Sequence, residues 1–209
     1  MAENYQYIIM LYKLAHVVQA RMPWIWDVVE SVNAAVCGWK LGNKTRLQKC
    51  MMQGVRLADI NDAGRLADFF SRQPEDCFRW FRPHAFDEKT LRKLLKRESY
   101  IIYVLEEDGE IAGYAFLRCF ANGKSFLGKM VDVNHQGKGI CTKLCVVGMN
   151  IADATGFRLF ESINKQNIGS MKATQKACDV IVVAELADGD LLIEDRPKGS
   201  LASTASNNN

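Results

Sequence analysis

A chain of 209 residues, 48% hydrophobic and 24% charged, has room for one buried core with an appendage and lacks the composition of a disordered protein. Its 27 basic and 24 acidic side chains leave a formal charge of +3, too evenly balanced for nucleic acid to be the main partner. Seven cysteines with no CxxC pair and no nearby His doublet argue against zinc, so no metal is expected. The opening MAENYQ has neither a basic leader nor a small-residue cleavage site, and reduced thiols in a cytoplasmic protein are the expectation.

In chain order, Ile8, Leu11, Tyr12, Ala15 and Val18 recur at helical spacing, predicting an amphipathic helix over 5–20 that Pro23 breaks. A second helix is predicted from Trp24 to about Trp39, ended by Gly42 and Asn43, and residues 44–53 read as a polar connector. From Val55 the pattern predicts a short strand and then a helix over 61–72 with Leu66, Phe69 and Phe70 inward. A further helix follows in FDEKTLRKLLKR, with Asp87 as its N-cap. Strands over 100–105, 111–120 and 125–131, joined by turns containing AspGly and AsnGly, form an antiparallel meander. A helix over 140–154 stopped by Gly156, a strand over 157–163, a helix over 167–176 and a closing hairpin over 180–194 complete the pattern. Residues 200–209 read as a polar tail. Three units are expected: an N-terminal helical extension over 1–53, a main domain over 54–196 and a tail over 197–209.

The informative segment is MVDVNHQGKGIC, residues 130–141, where a glycine-punctuated turn joins a strand to an apolar helix. A strand end, a turn without side-chain bulk and the free N–H groups of a helix start form a cradle for an anion such as a pyrophosphate. Taken alone, GlyLysGly is equally a simple tight turn.

QGKGIC resembles the (Gln/Arg)-x-x-Gly-x-(Gly/Ala) coenzyme A loop of the GNAT acetyltransferases, with Gln136 and Gly139 matching and Cys141 departing from the small final residue. The order of elements over roughly 55–194 is also similar to that family. The resemblance implies an α/β (α+β) fold, with a mixed central sheet containing an antiparallel meander and flanked by helices. It implies acetyl-CoA as cosubstrate, contacted by Met130, Val131, Val133, Gln136, Gly137 and Lys138. Gly139, Ile140 and Cys141 would continue that contact into the helix. Asn167 and Ser170 match the family's Asn-x-x-Ser helix against the pantetheine arm, although an N-cap followed by a polar helix face explains them equally well. Many relatives carry a tyrosine on this helix to protonate the departing thiolate; Thr174 stands here instead, so no tyrosine acid is carried over.

The implied activity is N-acetylation of a small acceptor, with a catalytically silent coenzyme A-binding regulatory or scaffold module as the alternative. An amine must lose a proton to attack a thioester, and the oxyanion that develops needs a donor, which in this family is a backbone N–H of the strand before the loop, here Val131 to Val133. His84 and Asp132 are the candidate bases, His84 first because imidazole titrates near neutrality; a Pro-shaped loop with a structural histidine is the competing reading. Arg79, Trp80 and Arg82 are candidates for an acceptor pocket, with core packing the alternative for the aromatic residues. The cysteines read as small apolar packing groups. FRPHAFD resembles a stretch in family members of surface-polysaccharide sugar biosynthesis, and LYKLAHVVQARMPW resembles the opening of some surface-polysaccharide acyltransferases; together they point to an amino sugar. Trp24, Trp26 and Trp39 give the N-terminal helices anchors for a homo-oligomer or for peripheral membrane contact, with capping of the core within one chain as the alternative.

Overall fold

The computed structural model describes residues 23–186 and 189–200. The helix expected over 5–20, the tail from 201 onward and the tip of the last hairpin lie outside the described residues, as do the side chains of Trp24 and Trp26.

Helix α1 (Pro23–Leu41) buries Cys37 and Leu41 against the sheet, while Val28, Val32 and Trp39 stand exposed, the last at 87%. Gly42, at φ 73°, ends it. The expected connector after it begins with a short helix α2 (Lys44–Gln48), because the Asn43 side chain caps the Arg46 amide at 3.1 Å and Leu47 is buried. Strand β1 (Val55–Leu57) leads to α3 (Asp62–Ser71), a 3-10 turn (Glu75–Phe78) and α4 (Glu88–Leu95). Asp87 caps α4 by accepting from the Thr90 amide at 2.9 Å, as its place before an apolar-periodic run predicts.

The meander is β2 (Tyr100–Glu107), β3 (Glu110–Cys119) and β4 (Lys124–Val131). After it come α5 (Ile140–Thr155), β5 (Arg158–Asn164), α6 (Ile168–Ala177), β6 (Asp179–Glu185) and β7 (Asp190–Arg196). The seven strands form one sheet in the order β1-β2-β3-β4-β5-β7-β6, and every neighbouring pair is antiparallel except β4 with β5. A core lies on each face. Leu66, Phe69, Phe70 and Leu91 of α3 and α4 pack on one side with Tyr114 and Met130. On the other, α5 lays Ile140, Leu144, Val147 and Ile151 against Tyr103, Leu105 and Leu127. Gly113 of β3 lets the start of α5 approach, since a Cβ there would lie 2.7 Å from Ile140 Cγ2. The sheet therefore fixes where the first turn of α5 sits.

Candidate active site

Strands β4 and β5 run parallel for three registered pairs, Lys124↔Arg158 to Phe126↔Phe160, and then part, although β4 continues to Val131 and β5 to Asn164. A parallel pair that diverges leaves main-chain groups on both inner edges without a ladder partner. A cavity of about 810 Å³ opens over this gap, lined by β4, the loop after it, the start of α5, one side of α6 and the turn at residues 74–81.

Among the described residues, none of the amides from Gly137 to Thr142 donates to a backbone carbonyl or to a side chain; the first that does is Lys143, to Gly139 O at 3.0 Å. Gly137 and Gly139 lie at φ 79° and 81°, where glycine is favoured, and a Cβ on either would meet nothing within 4 Å. The result is a row of N–H groups at the positive end of a 16-residue helix, open to an anion.

The loop is held from behind by Asp132, which is 2% exposed. It accepts from Gln73 Nε2 at 2.9 Å, Arg72 Nε at 3.1 Å and the Asn134 amide at 2.9 Å, with His135 Nδ1 at 3.3 Å. Burial opposes its charge, but the donors of Gln73, Asn134, Arg72 and His135 outweigh that and hold the carboxyl far below the usual carboxylate range. A carboxylate so saturated is a poor proton acceptor, so the expected base role gives way to one of positioning the loop. The expected oxyanion stretch narrows as well: Asp132 N donates to Ala112 O at 2.9 Å and Val133 N to Gln73 Oε1 at 3.0 Å. Alternation along the strand turns the Val131 amide to the opposite edge, into the gap.

Of the residues expected to contact the coenzyme, all line the cavity except Lys138, which points to Glu107 at 3.6 Å. Asn167 caps α6 through the Ser170 amide at 3.1 Å and lines the cavity too, so both readings of that segment hold together. Trp80 lines the opposite wall beside Asp76 and Cys77. Arg79 lies 4.5 Å over the Trp80 ring and reaches Gln166 Oε1 at 3.3 Å, whereas Arg82 pairs with Glu75 and is not among the lining residues. His84 is not among them either: Nδ1 is 2.9 Å from Ala85 O, Nε2 is 3.0 Å from the Tyr114 hydroxyl, and Phe70 and Phe86 surround the ring. Burial pushes its pKa down, the Ala85 bond only partly opposing, and with both nitrogens bonded the imidazole ties an aromatic cluster together. This placement is that of the Pro-shaped loop with a structural histidine, away from the cavity lining.

A group that sequence reasoning missed crosses the gap. Lys129 of β4 forms an ion pair with Glu161 of β5 and donates to Thr174 Oγ1 of α6 at 3.1 Å. A lysine inside the apolar run FLGKMV and a glutamate inside LFESI were the available signals, since each puts a charge on the inner part of a strand.

The family model for the acetyltransferase (GNAT) family matches residues 67–179, more than half of the chain and the whole stretch that builds the cavity. The chain belongs to this family. As a GNAT protein it is an acyltransferase. No curated protein matches it by sequence. Among solved structures it is similar to the ribosomal-protein-S5-alanine acetyltransferase of Vibrio fischeri, at 19% identity over 70% of this chain and 93% of that one, TM-score 0.60. It is similar to yncA of Salmonella typhimurium, solved with acetyl-CoA, at 22% identity over 68% and 92%, TM-score 0.55. A third is AAC(6')-Ib in complex with paromomycin and acetyl-CoA, at 18% identity over 72% and 96%, TM-score 0.55. At these identities the likeness shows the fold.

Proposed function

We propose that this GNAT chain transfers the acetyl group of acetyl-CoA to the primary amine of a small acceptor, with amino sugars as the acceptor class. The observation that carries the reading is the row of unbonded amides from Gly137 to Thr142, which opens on the same cavity as the parted strands and the Trp80 wall. These amides and the α5 N-terminus fit a pyrophosphate, and the gap between β4 and β5 fits an extended arm carrying the thioester. The Val131 N–H supplies the donor for charge on the acetyl oxygen, and Asp132, Gln73 and Arg72 keep the strand end from moving as that charge builds. On the far wall the Asp76 carboxylate suits a cationic amine, and the Trp80 ring, already covered by Arg79, adds an apolar edge. AAC(6')-Ib, whose fold is similar, was solved in complex with paromomycin and acetyl-CoA, which supports an amino-sugar acceptor class for this chain. Seven cysteines, none in a disulfide, fit a reducing cytoplasm.

Thiol release from acetyl-CoA, measured with amino sugars, simple amines and peptides in parallel, is the test. Release with amino sugars is the expected result. Release with peptides alone transfers the activity to proteins and overturns the acceptor class. A chain that binds coenzyme A and releases no thiol with any acceptor is the silent module, the reading to which Thr174 in the family tyrosine's place lends support.

A further inference from the structure

We propose that Lys129, held by Glu161 and Thr174, is the cationic group that receives the departing thiolate of coenzyme A, in the role that a tyrosine on α6 cannot fill in this chain. The inference rests on the acetyl-CoA reading above and adds to it a residue on the opposite strand.

Three observations carry it. Lys129 lies beyond the last β4–β5 register pair, so its side chain crosses the gap where a thioester arm fits rather than packing inside a closed ladder. Its ammonium has three N–H groups. Glu161 and Thr174 take two of them, and among the described residues no acceptor is present for the third. The residue lines the cavity although its side chain is only 4% exposed, so a group reaching it would meet the charge largely free of water. Stability alone does not account for the pair. A buried ion pair is commonly no better for the fold than apolar side chains of the same volume.

The polar surroundings hold Lys129 in its charged form. Burial opposes the charge, but the Cys145 sulfur, the Glu161 carboxylate and the Cys141 sulfur outweigh that, and the pKa stands above the ordinary lysine value. Lys129 therefore keeps its proton and acts as a fixed charge. As the amine nitrogen bonds to the acetyl carbon, the carbon–sulfur bond breaks and sulfur keeps the electron pair, facing the third N–H of Lys129. The ammonium gives one proton to water before it attacks and a second as the amide forms, and the thiolate takes one from water as the coenzyme leaves. Each transfer therefore releases one proton to solvent, and no oxidant or reductant enters.

The test titrates the thiol of carbon-labelled coenzyme A bound to the wild-type chain, followed by the NMR shift of the methylene next to sulfur. The expected result is a bound thiol that ionises about one to two pH units below the free coenzyme. In the double variant Lys129→Met/Glu161→Gln, which removes the pair without leaving a lone buried charge, ionisation returns toward that of the free coenzyme. Affinity for coenzyme A then stays within about threefold, and turnover falls by about 100-fold. A wild-type thiol with unaltered ionisation overturns the inference whether or not the variant folds. A lowered value that persists in the variant overturns it as well, by assigning the effect to the α5 and α6 dipoles. A chain that does not bind coenzyme A at all overturns the acetyl-CoA reading itself, which separates the two failures.

Discussion

Gly139→Asp is expected to weaken coenzyme A binding by about 100-fold or more, measured by calorimetric titration. Position 139 is the N-cap of α5 at φ 81°, and a Cβ there meets nothing within 4 Å, so the loss is not one of collision. Two effects add. A residue with a Cβ in this backbone region costs about 1–2 kcal/mol, and adopting another conformation turns the amides away from a common focus. A carboxylate beside those amides competes for them and repels the pyrophosphate. Gly139→Ala carries the first effect alone and is expected to lose only about five- to twentyfold, which isolates the charge term. Aspartate is also a good N-cap, so α5 itself is retained and circular dichroism of the variant matches wild type. Equal affinities for the Ala and Asp variants would remove the anion cradle from the account.

The second large effect concerns stability against pH. Asp195 of β7 is 2% exposed and pairs across the sheet with Leu159, two residues from Glu161 on the same strand. Burial first, and then the charge of Glu161, push its pKa up to about 8. Below the ordinary carboxyl range both folded and unfolded chains hold this proton, and the group contributes no pH dependence. Between that range and about pH 8 the unfolded chain has released the proton while the folded chain keeps it. Stability therefore falls as pH rises through this window, at up to about 1.4 kcal/mol for each pH unit. Asp195→Asn, which keeps the shape and has no proton to lose, is expected to unfold in denaturant with a much flatter dependence between pH 5 and pH 7.5. At pH 7.5 it should exceed wild type by a few kcal/mol. Parallel pH profiles for the two chains would mean that Asp195 ionises as freely in the fold as out of it.

Local signals carried much of this architecture. The Asp87 cap, the stop at Gly156, the AspGly and AsnGly turns and the QGKG loop each act within a few residues, and each appears where the residue pattern places it. The loop's flanking apolar periods located the strand and helix that aim its amides. Contacts between distant parts of the chain were not legible in this way. Asp132 is tied by Arg72 and Gln73, 60 and 59 residues away, and nothing in the spacing announces that a candidate base is already saturated. His84 carries the right chemistry for a base, yet Tyr114 and the Ala85 carbonyl occupy both nitrogens, a fact of packing. Lys129 and Glu161 stand out as charges inside apolar strands, but nothing near either one shows that two strands joined at one end pair them. Lys138 shows the converse, since its position inside the motif implied a phosphate contact and its side chain turns to Glu107.

Amide hydrogen exchange on the wild-type chain, with and without coenzyme A, tests the central claim most directly. The account predicts that the amides of Gly137 to Thr142, unbonded within the protein, exchange fast alone and become the most strongly protected when the coenzyme is present. Unchanged exchange across these residues in a chain saturated with coenzyme A would contradict it.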